Sequence, residues 1–400
     1  MEATLKQLNI DKSSWKPVKF GDIAKEPKEN VKDLQAEGIE YVVGLEHIDS
    51  EDVHLRRSAT LEESTTFTKK FAEGDVLFGR RRAYLKKAAQ ASFSGICSGD
   101  ITVFRAKEEI LPELLPFVVC NDKFFDYAVK HSAGGLSPRV KFKDLANYEF
   151  LLPPAAQQKQ LAELLWAMDD VIEKEREVLE RLGNSKSSLY KDSLFTECKT
   201  TDKYFGNVSS NYEVEKVGKY FKELQYGISE ELTEMGEVPV LRMNNLQGGK
   251  LDLEDLKYYS PKKGELDKFI LNYGDILFNR TNSFDLVGKV SRFSAKGKYS
   301  FASYLIRIKT DESELDSRFL NFYFNSAIGL AKIRKYRTPG VSQSNINAQN
   351  IKNVPIPLPP VKFQNELMDK IEKFEISEEI VETKIASSKA LQKSLINQIF

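Results

Sequence analysis

The chain contains itself twice, and that repeat limits what it can fold into more than any other feature. Gly74-Asp75-Val76-Leu77-Phe78-Gly79-Arg80 returns as Gly274-Asp275-Ile276-Leu277-Phe278-Asn279-Arg280, an offset of 200 residues. Trp15-Lys16-Pro17-Val18-Lys19 returns loosely as Tyr212-Glu213-Val214-Glu215-Lys216. Gly135-Leu136-Ser137 returns as Gly340-Val341-Ser342, and Leu152-Pro153-Pro154 as Leu358-Pro359-Pro360. The matches keep their order while the offset drifts only from 197 to 206. Two similar turns inside one domain would not stay collinear over the whole chain. A period this long means two copies of one domain-sized body, and 400 residues exceed what a single core usually serves.

Each copy has the same internal plan. Tyr41–Leu45, Asp75–Phe78 and Ile101–Phe104 read as short strands punctuated by Gly and Asp. Leu114–Lys130 and Arg318–Lys335 read as helices, with apolar residues three and four apart. Each Leu-Pro-Pro marks a strand end feeding a helix, because proline fixes φ and suits a first helical turn. In the first long helix, Leu161, Leu164, Met168, Val171, Val178, Leu182 and Leu189 fall on a heptad seam, with Glu175 and Ser185 as exceptions. In the second, Leu367, Ile371, Phe374, Val381, Ile385, Leu395 and Ile399 do the same. So narrow a stripe suits a coiled-coil seam, and the charge-rich run Asp169–Arg181 leaves little apolar surface beside it. Each helix spans roughly 60 Å at 1.5 Å per residue, with Gly183-Asn184-Ser185 as a weak point in the first. Neither finds a heptad partner nearby, so the two pair with each other. The expected architecture is α+β: two similar globular α/β-mixed domains, joined and spaced by two long helices in an antiparallel coiled coil, with a pseudo-twofold internal repeat. The divisions fall at 1–152 and 207–358 for the globular domains, and at 153–206 and 359–400 for the helices and linker.

Catalytic constellations are missing from the sequence. His47, His54 and His131 lie far apart, with no HExxH or HxH arrangement, and each reads as a lone surface histidine. No GxSxG elbow, GxxxxGK[ST] loop or post-strand GxGxxG is present, and Gly248-Gly249-Lys250 is a turn followed by a lysine. Glu62-Glu63 and Glu230-Glu231 are adjacent pairs, which suits solvation better than acid–base work. The three cysteines, Cys97, Cys120 and Cys198, form no CxxC pair, so a reducing cytoplasm is expected. No secretory signal is visible, and the longest apolar stretch is too short for a bilayer. Neither a metal nor a cofactor site is predicted.

The charges balance, with 59 basic and 59 acidic side chains, which at first argues against a polyanion partner. Their placement argues otherwise. Arg80, Arg81, Arg82, Lys86 and Lys87 put five cations in eight residues. Lys130, Arg139, Lys141 and Lys143 surround the Gly134-Gly135 turn, beside Ser137. In the second copy Lys332, Arg334, Lys335 and Arg337 precede Pro339-Gly340, and Lys289, Arg292, Lys296 and Lys298 follow the Gly274-Asp275 turn. The clusters thus recur in register, after the GD[VI]LF strand and around the Gly-[LV]-Ser loop. A single charge run is usually a solvated surface, but cations repeated on loops among Tyr, Ser, Asn and Gln suit a DNA duplex. They neutralise phosphates, while Arg, Asn and Gln can read base edges. Candidate base readers are Arg80, Arg81, Arg139, Asn279, Arg280, Asn282, Gln343 and Asn345, with Ser342 beside them.

These residues resemble the specificity (S) subunits of type I restriction–modification enzymes. The resemblance rests on Trp15…Gly21-Asp22-Ile23, Gly74–Phe78, Gly134-Gly135-Leu136-Ser137-Pro138, Leu151-Leu152-Pro153-Pro154 with Gln157-Gln158, and their second copies. Phe363-Gln364 stands where the family often has Glu-Gln, and Tyr212 where a tryptophan is usual. The resemblance implies two target-recognition domains, each reading half of a split, asymmetric target in double-stranded DNA. It implies a coiled coil that spaces them and holds two methyltransferase (M) subunits, with restriction/translocase (R) subunits joining through the complex. S-adenosylmethionine, ATP and Mg would belong to those partners, and this chain would be non-catalytic. A single-chain methyltransferase or nuclease would need a motif for which two repeats leave no room. A scaffold that binds no DNA would leave the basic loops merely solvated.

Overall fold

The computed structural model describes residues 10–34, 36–60, 66–195, 198–209, 212–260, 267–340 and 343–400. The chain divides into two compact units, Met1–Leu179 with Ile380–Phe400, and Glu180–Glu379. Each long helix therefore contributes one stretch to each unit.

In the first unit a four-stranded sheet runs in the order Ala24–Lys25, Ile101–Ala106, Val76–Gly79, Ala88–Gln90. A second runs Ala59–Thr60, Tyr41–Val43, Gly95–Cys97, Lys69–Phe71. The repeated GD[VI]LF run explains how they stack. Gly74 adopts φ +85° to turn the chain, and the Asp75 carboxylate accepts the Ala72 N–H at 2.8 Å. The strand that follows is buried on both faces. Its period of two sends Val76 and Phe78 into a core with Phe20, Phe104 and Phe124, and Leu77 into another with Val43, Phe71 and Val103.

The second unit repeats this logic. Its four-stranded sheet runs Phe221–Tyr226, Leu305–Thr310, Ile276–Asn279, Val290–Arg292. Gly274 adopts φ +96°, and Asp275 accepts the Asn272 N–H at 2.8 Å. Ile276 and Phe278 face one core and Leu277 another. The expected linker holds a hairpin, Cys198–Asp202 with Gly206–Ser209.

Two expected helices are each broken in two. Leu115–Val119 is followed by Asp122–Lys130, and Ser317–Asn325 by Ala327–Arg334. The cause is local: Asn121 accepts the Phe124 N–H at 2.8 Å and Ser326 accepts the Gly329 N–H at 3.0 Å, each starting a new helix.

The Pro-Pro pairs follow the strands Glu149–Leu152 and Pro355–Leu358, which pair antiparallel with Lys16–Lys19 and Glu213–Lys216. They lead into helices Ala155–Phe195 and Val361–Ile399. The first is continuous through Gly183, so the expected weak point does not interrupt it. Within the first unit, Gln392 Nε2 donates to the Leu165 carbonyl at 3.3 Å, and Ala162 and Leu165 share a core with Leu395, Ile396 and Ile399. Within the second, Lys186 meets Glu378 at 2.5 Å, and Tyr190 and Leu194 pack with Leu367, Met368 and Ile371.

The inward face of the first helix differs from the predicted seam. Leu164, Val171 and Val178 are 46%, 49% and 45% exposed, whereas Leu165 and Ile172 are buried. Leu161, Met168 and Leu182 are half-buried. The apolar doublets 164/165, 171/172 and 178/179 offer two alternative rows about 100° apart on the helix, and the later member of each turns inward. In the second helix Leu367, Ile371 and Leu395 are buried, with Phe374, Val381 and Ile385 half-buried.

Candidate nucleic-acid interface

In the first unit, the end of strand Val76–Gly79 and the Gly134–Pro138 loop form one surface. Arg81 and Arg139 pair across an antiparallel bridge, the Arg82 N–H donates to the Pro138 carbonyl at 2.9 Å, and the Val140 N–H to the Arg80 carbonyl at 3.0 Å. Two basic clusters far apart in sequence thereby become a single site. Arg82 takes a left-handed φ of 54°, holding a tight turn into Ala83–Leu85. Arg82, Arg139, Lys141 and Lys143 are exposed, as is Lys130, whereas Arg80 and Ser137 are half-buried.

Lys86 and Lys87 are engaged elsewhere. Lys86 meets Asp122 at 2.5 Å and Glu51 at 3.5 Å, and the hydrogen bond with Asp122 raises its pKa above the ordinary lysine value. Lys87 Nζ donates to the Leu45 carbonyl at 2.9 Å. Both left-handed φ at Lys86 and these partners turn the two lysines into internal braces.

The second unit builds the equivalent surface from different chemistry. Thr281–Asn282 pairs with Ser344–Asn345, which also pairs with Thr338–Pro339. The Ile346 N–H donates to the Arg280 carbonyl at 2.8 Å, and Asn345 Nδ2 donates to Thr281 Oγ1 at 2.8 Å. Arg280 lies over the Tyr226 ring at 5.0 Å and Arg337 over the Phe284 ring at 3.7 Å. Arg334 and Gln343 are exposed and Asn282 is half-buried. Ser342 lies outside the described residues.

Three candidates stand apart from this surface. Asn279 is fully buried, because it is the last residue of a central strand and accepts the Thr281 N–H at 3.3 Å. Arg292 pairs in register with Ile276, about 10 Å along the strand from its basic end, and donates to Ser317 Oγ at 2.9 Å. Lys289 donates to Gln247 at 3.1 Å, and outside the proposed readers Lys332 donates to the Tyr204 carbonyl.

Residue reasoning missed several groups at these surfaces. Asp100 receives Arg139 Nε at 2.8 Å and Arg81 Nη1 at 3.1 Å. Burial pushes its carboxyl up, but the hydrogen bonds from Arg139 and Arg81 outweigh that and hold it below the ordinary aspartate value. In sequence, Ser98-Gly99-Asp100 reads as a turn and nothing more. Leu136 is 98% exposed on its glycine-flanked loop, and Phe284 is 53% exposed.

His54 is tied into a charged cluster. His54, Asp169 and Glu173 offer ligand atoms within 4.8 Å of one another. However, Arg56 already holds Glu173 through two bonds of 2.6 and 2.8 Å, and His54 Nε2 lies 2.5 Å from Asp169. The cluster is an ion-pair network, and His54 is not the lone surface residue expected. Burial pushes the Cys97 thiol up to about 12. Among the described residues no helix is long and apolar enough to cross a membrane.

Comparison with known proteins agrees with the two-copy plan. The Type I restriction modification DNA specificity domain matches twice, over residues 12–183 and 210–388. The chain is 22% identical to the type I restriction enzyme StySPI specificity subunit of Salmonella potsdam, over 80% of this chain and 69% of that protein. It is 24% identical to the EcoKI specificity subunit of Escherichia coli K12, over 78% and 68%. Its fold is similar to the type I restriction-modification S subunit from M. genitalium, with a TM-score of 0.56 at 10% identity and 98% coverage of both chains. A structure from a study of complex assembly in a type I R-M system also gives 0.56, at 18% identity, covering 97% of this chain and 96% of that one. With two matched copies filling most of its length, the chain belongs to the family of type I restriction modification DNA specificity domains.

Proposed function

We propose that this chain is the non-catalytic specificity subunit of a type I restriction–modification complex, with residues 1–152 and 207–358 each reading one half of a split DNA target. The observation that carries this reading is the fusion, in each unit, of two sequence-distant basic loops into one surface, through Arg81↔Arg139 and Thr281↔Asn345. Exposed Arg82, Lys141 and Lys143 suit phosphate contacts, which give affinity without sequence preference. Arg139, Arg280 and Gln343 suit base edges. The two surfaces carry different residues, as two different half-sites require. The long helices Ala155–Phe195 and Val361–Ile399 form an antiparallel coiled coil that fixes the spacing of the half-sites and docks two methyltransferase subunits. Those partners supply S-adenosylmethionine chemistry and further positive surface, which offsets the balanced charge of this chain; restriction subunits join through the complex.

Sequencing of methylated adenines in DNA from cells that express this chain with its methyltransferase subunit tests the proposal. The expected result is one bipartite motif with a fixed gap. A continuous motif, or methylation without sequence preference, overturns it.

A further inference from the structure

We propose that Asp100 is a positioning residue that aims Arg139 at a single base pair of one half-site, with Arg81 as a brace rather than a reader. This inference rests on the DNA-reading role proposed above.

The bonding pattern distinguishes the two arginines. Arg81 has Nη1 on Asp100 at 3.1 Å and Nη2 on Ser137 Oγ at 3.1 Å, so its fork is occupied. Arg139 is bound through Nε alone, at 2.8 Å from Asp100 Oδ1, and its side chain is 47% exposed. That leaves both Nη groups without a hydrogen bond to the carboxylate, and they form the end of the guanidinium that can meet guanine O6 and N7. A free arginine loses much rotamer entropy when it docks; one already held by a carboxylate loses less. The backbone supports the same geometry, since the Arg80 N–H donates to the Asp100 carbonyl at 2.9 Å and Arg81 pairs with Arg139.

Asp100 also carries a negative charge at a surface meant for phosphates. It therefore weakens attraction to any duplex while sharpening the choice among duplexes, a combination that a purely structural residue does not produce. The effect belongs to one half-site. At the equivalent backbone position of the second unit the Arg280 N–H donates to Tyr304, at 3.0 Å, and Arg280 Nε turns to the Ser303 carbonyl at 3.1 Å.

The test compares Asp100→Asn, Arg139→Ala and Arg81→Ala with the unaltered chain, each assembled with its methyltransferase subunit and selected on randomised duplex pools. Asp100→Asn is expected to lose about tenfold preference at one base pair of one half-site, the same base pair that Arg139→Ala loses. Binding to unrelated DNA is expected to hold or tighten, and the other half-site keeps its full preference as an internal control of folding. The double variant Asp100→Asn/Arg139→Ala is expected to lose no more preference than Arg139→Ala alone. Asp100→Asn with both half-site preferences intact, or with equal loss in both, overturns the positioning role. Greater loss in Arg81→Ala than in Arg139→Ala overturns the assignment of reader and brace. If the unaltered chain enriches no motif, the DNA-reading function fails, and this inference with it.

Discussion

The side-chain amide of Gln364 holds the backbone of Asp316: Oε1 accepts the Asp316 N–H at 2.9 Å. Its Nε2 donates to the carbonyls of Glu314 at 2.9 Å and Pro359 at 2.8 Å. Gln158 makes the matching set in the first unit, with Leu111 N–H at 2.9 Å and the carbonyls of Glu109 and Pro153 at 3.0 Å. Both glutamines are buried, one turn after the Pro-Pro pairs, and each ties the start of a long helix to its globular core. Replacing Gln364 or Gln158 by Leu strands one buried N–H and two carbonyls. A loss of about 2–3 kcal/mol is expected, confined to the altered unit and read by hydrogen exchange.

The inward row of the first long helix can be tested at one doublet. Ile172→Ala is expected to cost about 2–4 kcal/mol, because it empties a buried site. Val171→Ala, one residue earlier and exposed, is expected to stay within about 0.5 kcal/mol. Denaturant unfolding of the two variants decides between the rows.

Deleting one heptad from each long helix shortens a spacer by about 10 Å, close to three base pairs of duplex at about 3.4 Å each. Methylome sequencing is expected to show the same half-site bases with a changed gap. Altered bases at an unchanged gap contradict the spacer role.

His54 gives the first unit a pH dependence. Its hydrogen bond with Asp169 raises its pKa above the ordinary 6.5, against an opposing effect of burial, with Glu173 adding attraction and Arg56 repulsion. A raised folded-state pKa stabilises fully below the unfolded value and is lost as pH rises through the folded one. The thermal midpoint is expected to fall as pH rises above 6.5, and His54→Gln is expected to flatten that slope.

Salt dependence separates contact lysines from braces. Lys141→Ala is expected to lower the slope of log affinity against log salt by about 1, with little change in stability. Lys86→Ala, which breaks the pairs with Asp122 and Glu51, is expected to leave the slope and to cost at most about 1 kcal/mol of stability.

The sequence by itself determined the duplication, the strand after each Gly-Asp turn, the helix after each Pro-Pro and the difference between the two basic surfaces. These follow from local causes: a left-handed glycine, a capping aspartate, a proline without a donor, and apolar spacing within one element. The breaks at Asn121 and Ser326 were also local, yet continuous apolar spacing hid them. Tertiary structure alone decided the rest. Leu164 and Leu165 are equally apolar, so only tertiary packing selects which of them is buried. Arg81, Asp100 and Arg139 carry no shared periodicity, and strand pairing alone brings them within hydrogen-bond reach. Lys86 and Lys87 looked no different from Arg82 in sequence. What separates them is a carboxylate and a carbonyl delivered from Asp122 and Leu45, long-range partners that charge patterning along the chain does not encode.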